Sequence, residues 1–204
     1  MQQEFAVPLC LSSGGNTKVG RVWTFSLPSF VTCPGASVWC RQHCYAARFE
    51  RLRGNCRLAY VRNLALSLEP ERFVTEVLGS LPEDAPFVRV HVGGDYYSQE
   101  YAAGWESICR ARPSTSFWAY TRSWCLSTLR PALENLRALE NVQVFASTDP
   151  DMPAPPETWR AAFIDIDPRA NGMPCRHQQG EVASCLECGY CFNEHSGNVV
   201  FKVH

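Results

Sequence analysis

Along the 204-residue chain the hydrophobic pattern switches repeatedly between a period near two and a period near 3.6, and the switches lay out its elements. After a turn-rich leading segment (1–20), an apolar run over 22–27 predicts a first strand. A loop broken by Pro28, Pro34 and Gly35 follows, carrying Cys33 to Cys44, and a helix is expected from about 45 to 53. In the next helix, about 56–68, Leu58, Val61, Leu64 or Ala65, and Leu68 recur at three-to-four spacing and are expected to face inward. Pro70, suited to a first helical turn, opens a third helix with Phe73, Val74, Val77 and Leu78 on its inner face. The β-branched run 87–92 reads as a strand stopped by Gly93 and Gly94.

Ser98 is placed to cap a helix striped by Tyr101, Trp105 and Ile108, and 116–121 reads as strand. Leu126, Leu129, Leu133, Leu136 and Leu139 mark a further helix before the strand 142–147 and the proline-rich loop TDPDMPAPPE. The runs 162–167 and 199–203 are expected as a fifth and a closing strand. Strands alternating with helices in this way imply βαβ units, a parallel sheet and right-handed crossovers, hence an α/β fold. No internal repeat or linker interrupts the chain, and only the cysteine-rich stretch from about 173 to 193 resembles a small module of its own.

A hydrophobic content of 46% with 19% charged residues fits one substantial core and excludes disordered or collagen-like classes. No window approaches the roughly 18 apolar residues of a membrane span, and the N-terminus has neither the basic nor the apolar region of a signal peptide. A cytoplasmic protein with no membrane partner is therefore expected. In a reducing compartment the 11 cysteines are not a disulfide framework. A net charge of −1 argues against a globally basic nucleic-acid binder, although 17 of the 19 cationic residues are arginine. Locally, Arg41, Arg48, Arg51, Arg53, Arg57 and Arg62 face only Glu50 over residues 41–62, so that nucleic acid is a candidate partner beside the plainer reading of a solvated helix face.

Seven cysteines form two sets, Cys33-x6-Cys40-x3-Cys44 and Cys175-x9-Cys185-x2-Cys188-x2-Cys191. Cys10, Cys56, Cys109 and Cys125 stand alone and read as small buried hydrophobes. Three cysteines at x2 spacing plus a remote fourth match the ferredoxin manner of holding a [4Fe–4S] cube. Zinc is the rival for that set, although its usual signature is two separated Cys-x2-Cys pairs. The first set follows the C-terminal end of a strand, where α/β folds concentrate their sites. Three thiolates leave a four-iron cluster one open iron; alternatively one of them is structural, or the three join another cysteine around zinc.

CPGASVWCRQHCYA after the first strand, with Cys44-Tyr45-Ala46 at its end and Gly93-Gly94-Asp95 closing the second strand, resembles the radical S-adenosylmethionine (SAM) proteins. That resemblance implies a partial parallel (β/α) barrel over 1–172, with the cysteine-rich segment 173–204 packed on the same domain. It also implies a [4Fe–4S] cluster on Cys33, Cys40 and Cys44 whose open iron chelates SAM, the amine being met by the stretch after strand two. An electron donor and an unknown substrate would complete the reaction, and the C-terminal set would carry a second cluster. Here the first spacing is x6 and x3 in place of the family's x3 and x2, His43 replaces the aromatic before the last cysteine, and Asp95 replaces the more frequent Glu. The same motifs, with RVHVGGDYYS, FWAYTRSW, FASTD and CLECGYC in that order from about Asn16 to Cys191, also resemble the phage and plasmid-borne gene product 88 family. A non-catalytic iron–sulfur or zinc protein of a mobile element, binding nucleic acid or a host protein, is the alternative to an enzyme.

Other candidates follow from position. Gly93 and Gly94 would let backbone approach a ligand closely, and Asp95 could accept hydrogen bonds from an ammonium group or serve as a turn aspartate. Tyr120, Arg122, Ser147 and Asp149 end successive strands and are expected to point into one mouth, Arg122 as a carboxylate clamp and Ser147 or Asp149 on a ribose hydroxyl. His43 could bond a cluster sulfide, His91 reads as a satisfied core group, and His177 and His195 flank the second set as substitute ligands.

Overall fold

The computed structural model describes residues 11–13, 18–193 and 197–203. Most of the leading segment, together with Cys10 and His195, therefore lies outside the described residues. A short β1 (Ser12–Ser13) runs antiparallel to β2 (Trp23–Phe25). Six further strands, β3 (Phe87–Val90), β4 (Ser116–Thr121), β5 (Val142–Ser147), β6 (Ala161–Ile164), β7 (Met173–Pro174) and β8 (Val199–Phe201), lie parallel to β2 or to one another. The sheet order is β1-β2-β3-β4-β5-β6-β8-β7, giving a mixed α/β fold around a parallel sheet of seven strands. No helix among the described residues is long and apolar enough to cross a membrane.

Four helices connect β2 to β3: α1 (Val38–Gln42), α2 (Tyr45–Leu52), α3 (Gly54–Ser67) and α4 (Pro70–Ser80). α5 (Gln99–Ala111) joins β3 to β4, and a 3-10 turn (Ser123–Cys125) with α6 (Arg130–Arg137) joins β4 to β5. No helix links β5 to β6, where Pro150, Pro153, Pro155 and Pro156 withhold the N–H groups one would need. Beyond β7 the chain forms three short helices, α7 (Arg176–Gln179), α8 (Cys185–Cys188) and α9 (Tyr190–Asn193).

Because successive side chains alternate across a strand, each strand feeds two layers. Val88, Val90, Phe117, Ala119, Val142 and Val144 pack against α4, α5 and α6 in the main core, which is centred on the edge-to-face trio Phe25, Phe73 and Trp105, with ring centroids 5.4–5.6 Å apart. Arg89, Trp118, Tyr120 and Phe145 occupy the opposite face. There Phe192 of α9 stacks on Trp118 at 4.8 Å, which brings the cysteine-rich segment against the sheet.

Several elements differ from the sequence expectation. The apolar stripe of α3 is turned outward: Leu58, Val61 and Leu68 are 58%, 49% and 66% exposed. Polar anchors set the helix orientation instead, with Asn63 Nδ2 donating to the Ser26 carbonyl at 2.9 Å and Ser67 Oγ bonded to the Tyr97 hydroxyl at 2.8 Å. The strand expected to reach 92 stops at Val90 because His91 takes a left-handed φ of 68°. The helix expected over 126–139 begins only at Arg130, with Pro131 in its first turn. The fifth strand is Ala161–Ile164, shorter than 162–167.

Candidate functional site

Beyond β2 the chain folds over the C-terminal ends of the strands. The loop is held at several points, each explicable from its sequence. Thr32 Oγ1 donates to the Pro28 carbonyl at 2.8 Å. Gly35 packs directly on the backbone of Arg122 and Ser123, where a Cβ would collide with the Arg122 carbonyl. Ser37 caps α1, accepting from the Cys40 amide at 2.9 Å while its hydroxyl donates to Asp149 Oδ2 at 2.7 Å. Arg122 ion-pairs with the same carboxylate oxygen, and the Trp39 amide donates to Asp151 at 2.9 Å. Asp149 is wholly buried, and Arg169, itself bonded to Asp167 at 2.7 Å, braces its loop by donating to the Asp149 carbonyl, also at 2.7 Å.

Cys33, Cys40 and Cys44 are half-buried free thiols within electrostatic reach of one another. Burial pushes the Cys33 thiol up to about 12, and the Asp95 carboxylate and the two neighbouring cysteines add to the shift. Burial also raises Cys40, while the Arg122 guanidinium pulls it back. The metal-free thiols at Cys33 and Cys40 are therefore protonated at neutral pH, and ligation would have to displace their protons.

Gly93, Gly94 and Asp95 lie under this loop, and each is already engaged. Gly93 accepts at its carbonyl from the Leu27 amide at 2.9 Å, and a Cβ there would press on the Tyr60 ring and Ala46. Gly94 has φ 82°, and a Cβ would stand 2.6 Å from Leu27 Cβ and 2.7 Å from Thr32 Oγ1. The close approach these glycines permit is thus made by the chain itself. Asp95 receives the Tyr96 amide (2.7 Å) and Thr121 hydroxyl (2.6 Å) on Oδ1, and the Arg122 (2.8 Å) and Ser123 (3.2 Å) amides on Oδ2. Four donors fill the lone-pair directions of a carboxylate, so Asp95 ties the end of β3 to the turn after β4.

The expected shared mouth divides. Arg122 and Asp149 meet beside the first cysteine set, and Ser147 ends β5 nearby with its carbonyl accepting from Trp124 Nε1 at 2.9 Å. Tyr120 points to the sheet's other face, because it alternates with Thr121, and hydrogen-bonds Cys191 there. Its ring packs on Phe145 and Phe201, at centroid distances of 5.1 and 5.5 Å.

On that face a small cavity of about 20 Å³ is lined by all four C-terminal cysteines, Cys175, Cys185, Cys188 and Cys191, with His177, Lys18, Arg89 and Tyr120. Cys175 enters beside β8, its amide donating to the Val200 carbonyl at 2.8 Å, and the Cys185 amide donates to the Lys18 carbonyl at 2.7 Å. Gly189, at φ 71°, ends α8 in the left-handed conformation and turns the chain between Cys188 and Cys191. Burial pushes Cys191 up to about 11, and raises Cys185 against the pull of Arg89 and Lys18. All ten described cysteines are free. Among the described residues no three His, Cys, Asp or Glu side chains converge as ligands of a single metal ion. Of the solitary cysteines, Cys109 is buried, whereas Cys56 and Cys125 are only half-buried.

Arg89 was not singled out in the sequence, yet it joins the two regions. Its buried guanidinium bonds the Tyr45 hydroxyl, one residue from Cys44, and lies 4.8 Å from the Tyr120 ring centroid, and the thiols of Cys185 and Cys191 bear on it electrostatically. No carboxylate pairs with it among the described residues. The available signal was one cation inside the apolar strand 87–92, where an alternating pattern places it under cover. His91 is half satisfied: Nε2 bonds the Tyr101 hydroxyl at 2.8 Å, whereas Nδ1 is buried without a partner. His43 stacks on Trp39 at 4.3 Å, and its Nδ1 bonds the Trp39 carbonyl.

The chain is similar to the "Gene 88 protein" of Mycobacterium phage L5, with 31% identity over 154 residues, covering 69% of this chain and 63% of that protein. The "Gene 88 protein" of Mycobacterium phage D29 is 29% identical over a stretch covering 69% of this chain and 62% of the phage protein. The match thus spans a little under two thirds of the length of these relatives. No solved structure matches. The profile described as gene product 88 matches residues 10–194, and the chain belongs to that family.

Proposed function

We propose that the protein is an iron–sulfur protein of radical-SAM type. Cys33, Cys40 and Cys44 would hold a [4Fe–4S] cluster with one open iron, and Cys175, Cys185, Cys188 and Cys191 a second, fully ligated cluster. The observation that carries this reading is the separation of the thiols into two sites. One has three thiols at the ends of parallel strands, and the other has four in a single cavity beside Lys18 and Arg89. Four thiols at one cavity match in number the corners of a fully ligated cube, and their x2 spacing follows the ferredoxin pattern more closely than the paired one of zinc. Two cations at the four-thiol site would offset the negative charge that four thiolates bring.

The sheet order also suits a partial (β/α) barrel, since β2 to β6 follow in chain order and the two edges, β1 and β7, remain apart. A three-thiolate cluster, when bound, supplies an open iron and an electron with which SAM is cleaved to a 5′-deoxyadenosyl radical. The chain's own part is to hold and shield. Ser37, Asp149 and Arg122 fix the loop, and Asp95 fixes the strand ends beneath it. Gly93, Gly94, Asp95, Arg122, Ser147 and Asp149 would bind SAM only where they exchange an internal partner for the ligand, and Tyr120 belongs to the four-thiol site instead.

That internal satisfaction favours a second reading, in which both clusters only staple loops. Anaerobic reconstitution separates the two. Uptake of about eight irons, falling to about four in Cys33→Ala and in Cys188→Ala, is expected. Cleavage of SAM under reduction, abolished by Cys33→Ala and retained in part by Cys188→Ala, supports the enzyme. Full iron uptake with no change in the reduced cluster signal on adding SAM supports the stapling role.

A further inference from the structure

The hairpin of α2 and α3 is exposed along most of its length, and it carries positive charge that no acid close by in the sequence balances. Arg53 closes α2 and opens α3. Arg41, Arg48, Arg51, Arg53, Arg57 and Arg62 are all exposed, and none makes an ion pair among the described residues. Glu50, the one acid among residues 41–62, is turned inward, where its carboxylate accepts from the amide and hydroxyl of Ser29. Its charge is spent on the cysteine loop and does not neutralise the arginines.

Apolar side chains stand exposed between these arginines: Phe49 (49%), Leu52 (72%), Leu58 (58%) and Val61 (49%). On α3, Asn63 and Ser67 turn the other side of the helix inward, which leaves Leu58 and Val61 facing solvent. Beside the hairpin the Trp39 and His43 rings stack at 16° to each other, Arg41 lies over the exposed Phe30, and Arg53 lies over Phe49. A surface of unpaired guanidinium groups interleaved with aromatic and aliphatic faces complements a polyanion whose planar groups are unstacked.

We propose that the α2–α3 hairpin, with the adjoining Trp39–His43 pair, docks single-stranded nucleic acid. Phosphates would meet the arginines, and bases would pack on Phe49 and the Trp39–His43 stack. A duplex keeps its bases stacked away from such a surface and leaves the apolar groups idle. An anionic membrane would ask for a broader apolar face than two exposed residues per helix. The inference does not depend on the cluster assignment, since neither the arginines nor Phe49 ligates anything in it.

Fluorescence anisotropy of the full-length protein, metal-free and iron-loaded, with a labelled 20-nucleotide oligo(dT) tests the proposal. With five or six phosphates engaged, the logarithm of the binding constant should fall against log salt with a slope of about −4, roughly a 250-fold loss between 50 and 200 mM. Arg51→Gln with Arg57→Gln should flatten the slope by about 1.4, and Phe49→Ala should weaken binding about tenfold with its salt slope intact. Circular dichroism melts of these exposed variants should superimpose on the parent, so that lost binding is not lost folding. Tighter binding of an equal-length duplex, binding only to phosphatidylserine vesicles, or a slope unmoved by the arginine variants would overturn it.

Discussion

Replacing Arg89 by methionine should act in opposite directions in the metal-free and the loaded protein. Arg89 is 9% exposed and has no carboxylate partner among the described residues. Its compensation consists of a long bond from Nε to the His91 carbonyl at 3.3 Å, the Tyr45 hydroxyl, and the Tyr120 ring at 4.8 Å. Hydrogen bonds from a charged group contribute about 1.5–3 kcal/mol, and a desolvated cation–π contact about 2 kcal/mol. Removing the ion from water costs several kcal/mol, so the metal-free balance is near zero. Methionine fills similar space without that cost and should leave metal-free stability unchanged or raise it by about 1–2 kcal/mol. With anionic thiolates and sulfides in the cavity, a positive charge at roughly 6 Å in an effective dielectric of about 20 contributes about 3 kcal/mol per unit charge. The loaded variant should then be less stable than its parent, and the reduction potential of the C-terminal cluster should fall by about 100 mV. Denaturant titrations of both forms, with a potentiometric titration followed by electron paramagnetic resonance, measure the two effects. Equal destabilisation of both forms, or a potential that moves by less than about 20 mV, would refute the electrostatic role and leave Arg89 as packing.

Asp95→Asn keeps the shape but offers one acceptor oxygen to four donors, so two buried donors lose their partner at about 1–3 kcal/mol each. A fall of roughly 10 °C in melting temperature is expected by calorimetry on metal-free protein, and no change would show that the knot is dispensable. Burial, with Arg89 nearby, holds His91 down to about 3, so the native state resists protonation that the unfolded chain accepts below its ordinary pKa. Stability should therefore be lost as pH falls from about 6.5 towards 3, by up to about 1.4 kcal/mol per unit, and His91→Asn should flatten that arm of a denaturation–pH profile. In metal-free protein, Cys33 is raised from 9.0 to about 12, roughly a thousandfold less thiolate at pH 8, and should be alkylated by iodoacetamide far more slowly than a small free thiol. Mass spectrometry of timed digests reads this, and rapid labelling of Cys33 would mean that the loop is open.

The order of strands and helices was legible because the periods are clean: Val88 and Val90 alternate with Arg89, and the stripe of Tyr101, Trp105 and Ile108 is fully buried. Where the expectation failed, polar contacts from elsewhere in the chain decided. Nothing local to α3 tells that Ser26 and Tyr97 will hold Asn63 and Ser67, and those bonds turn Leu58 and Val61 to solvent. The grouping of cysteines into two sets could be read from spacing, but their surroundings could not. That Asp95 is consumed by the backbone after β4 depends on a partner 27 residues away. Tyr120 and Arg122, two apart, lie on the same side of an extended strand, and only the turn at Arg122, with φ −98° and ψ −14°, sends them to different sites.

That divergence bears on how the two thiol sets relate. Tyr45 follows Cys44, its hydroxyl meets Arg89, and Arg89 and Tyr120 together border Cys191. The second set therefore lies beside a buried cation that also bonds Tyr45, the residue after Cys44 of the first set. A chain needing two loops tied down could use two independent zinc sites and leave the strand between them apolar. Placing a guanidinium at position 89, on the buried row opposite Trp118, brings a desolvation cost that its hydrogen bonds and the Tyr120 ring offset only to about zero, and negative charge beside it would make the balance favourable. Under the proposed cluster assignment, thiolates at Cys185 and Cys191 would supply that negative charge.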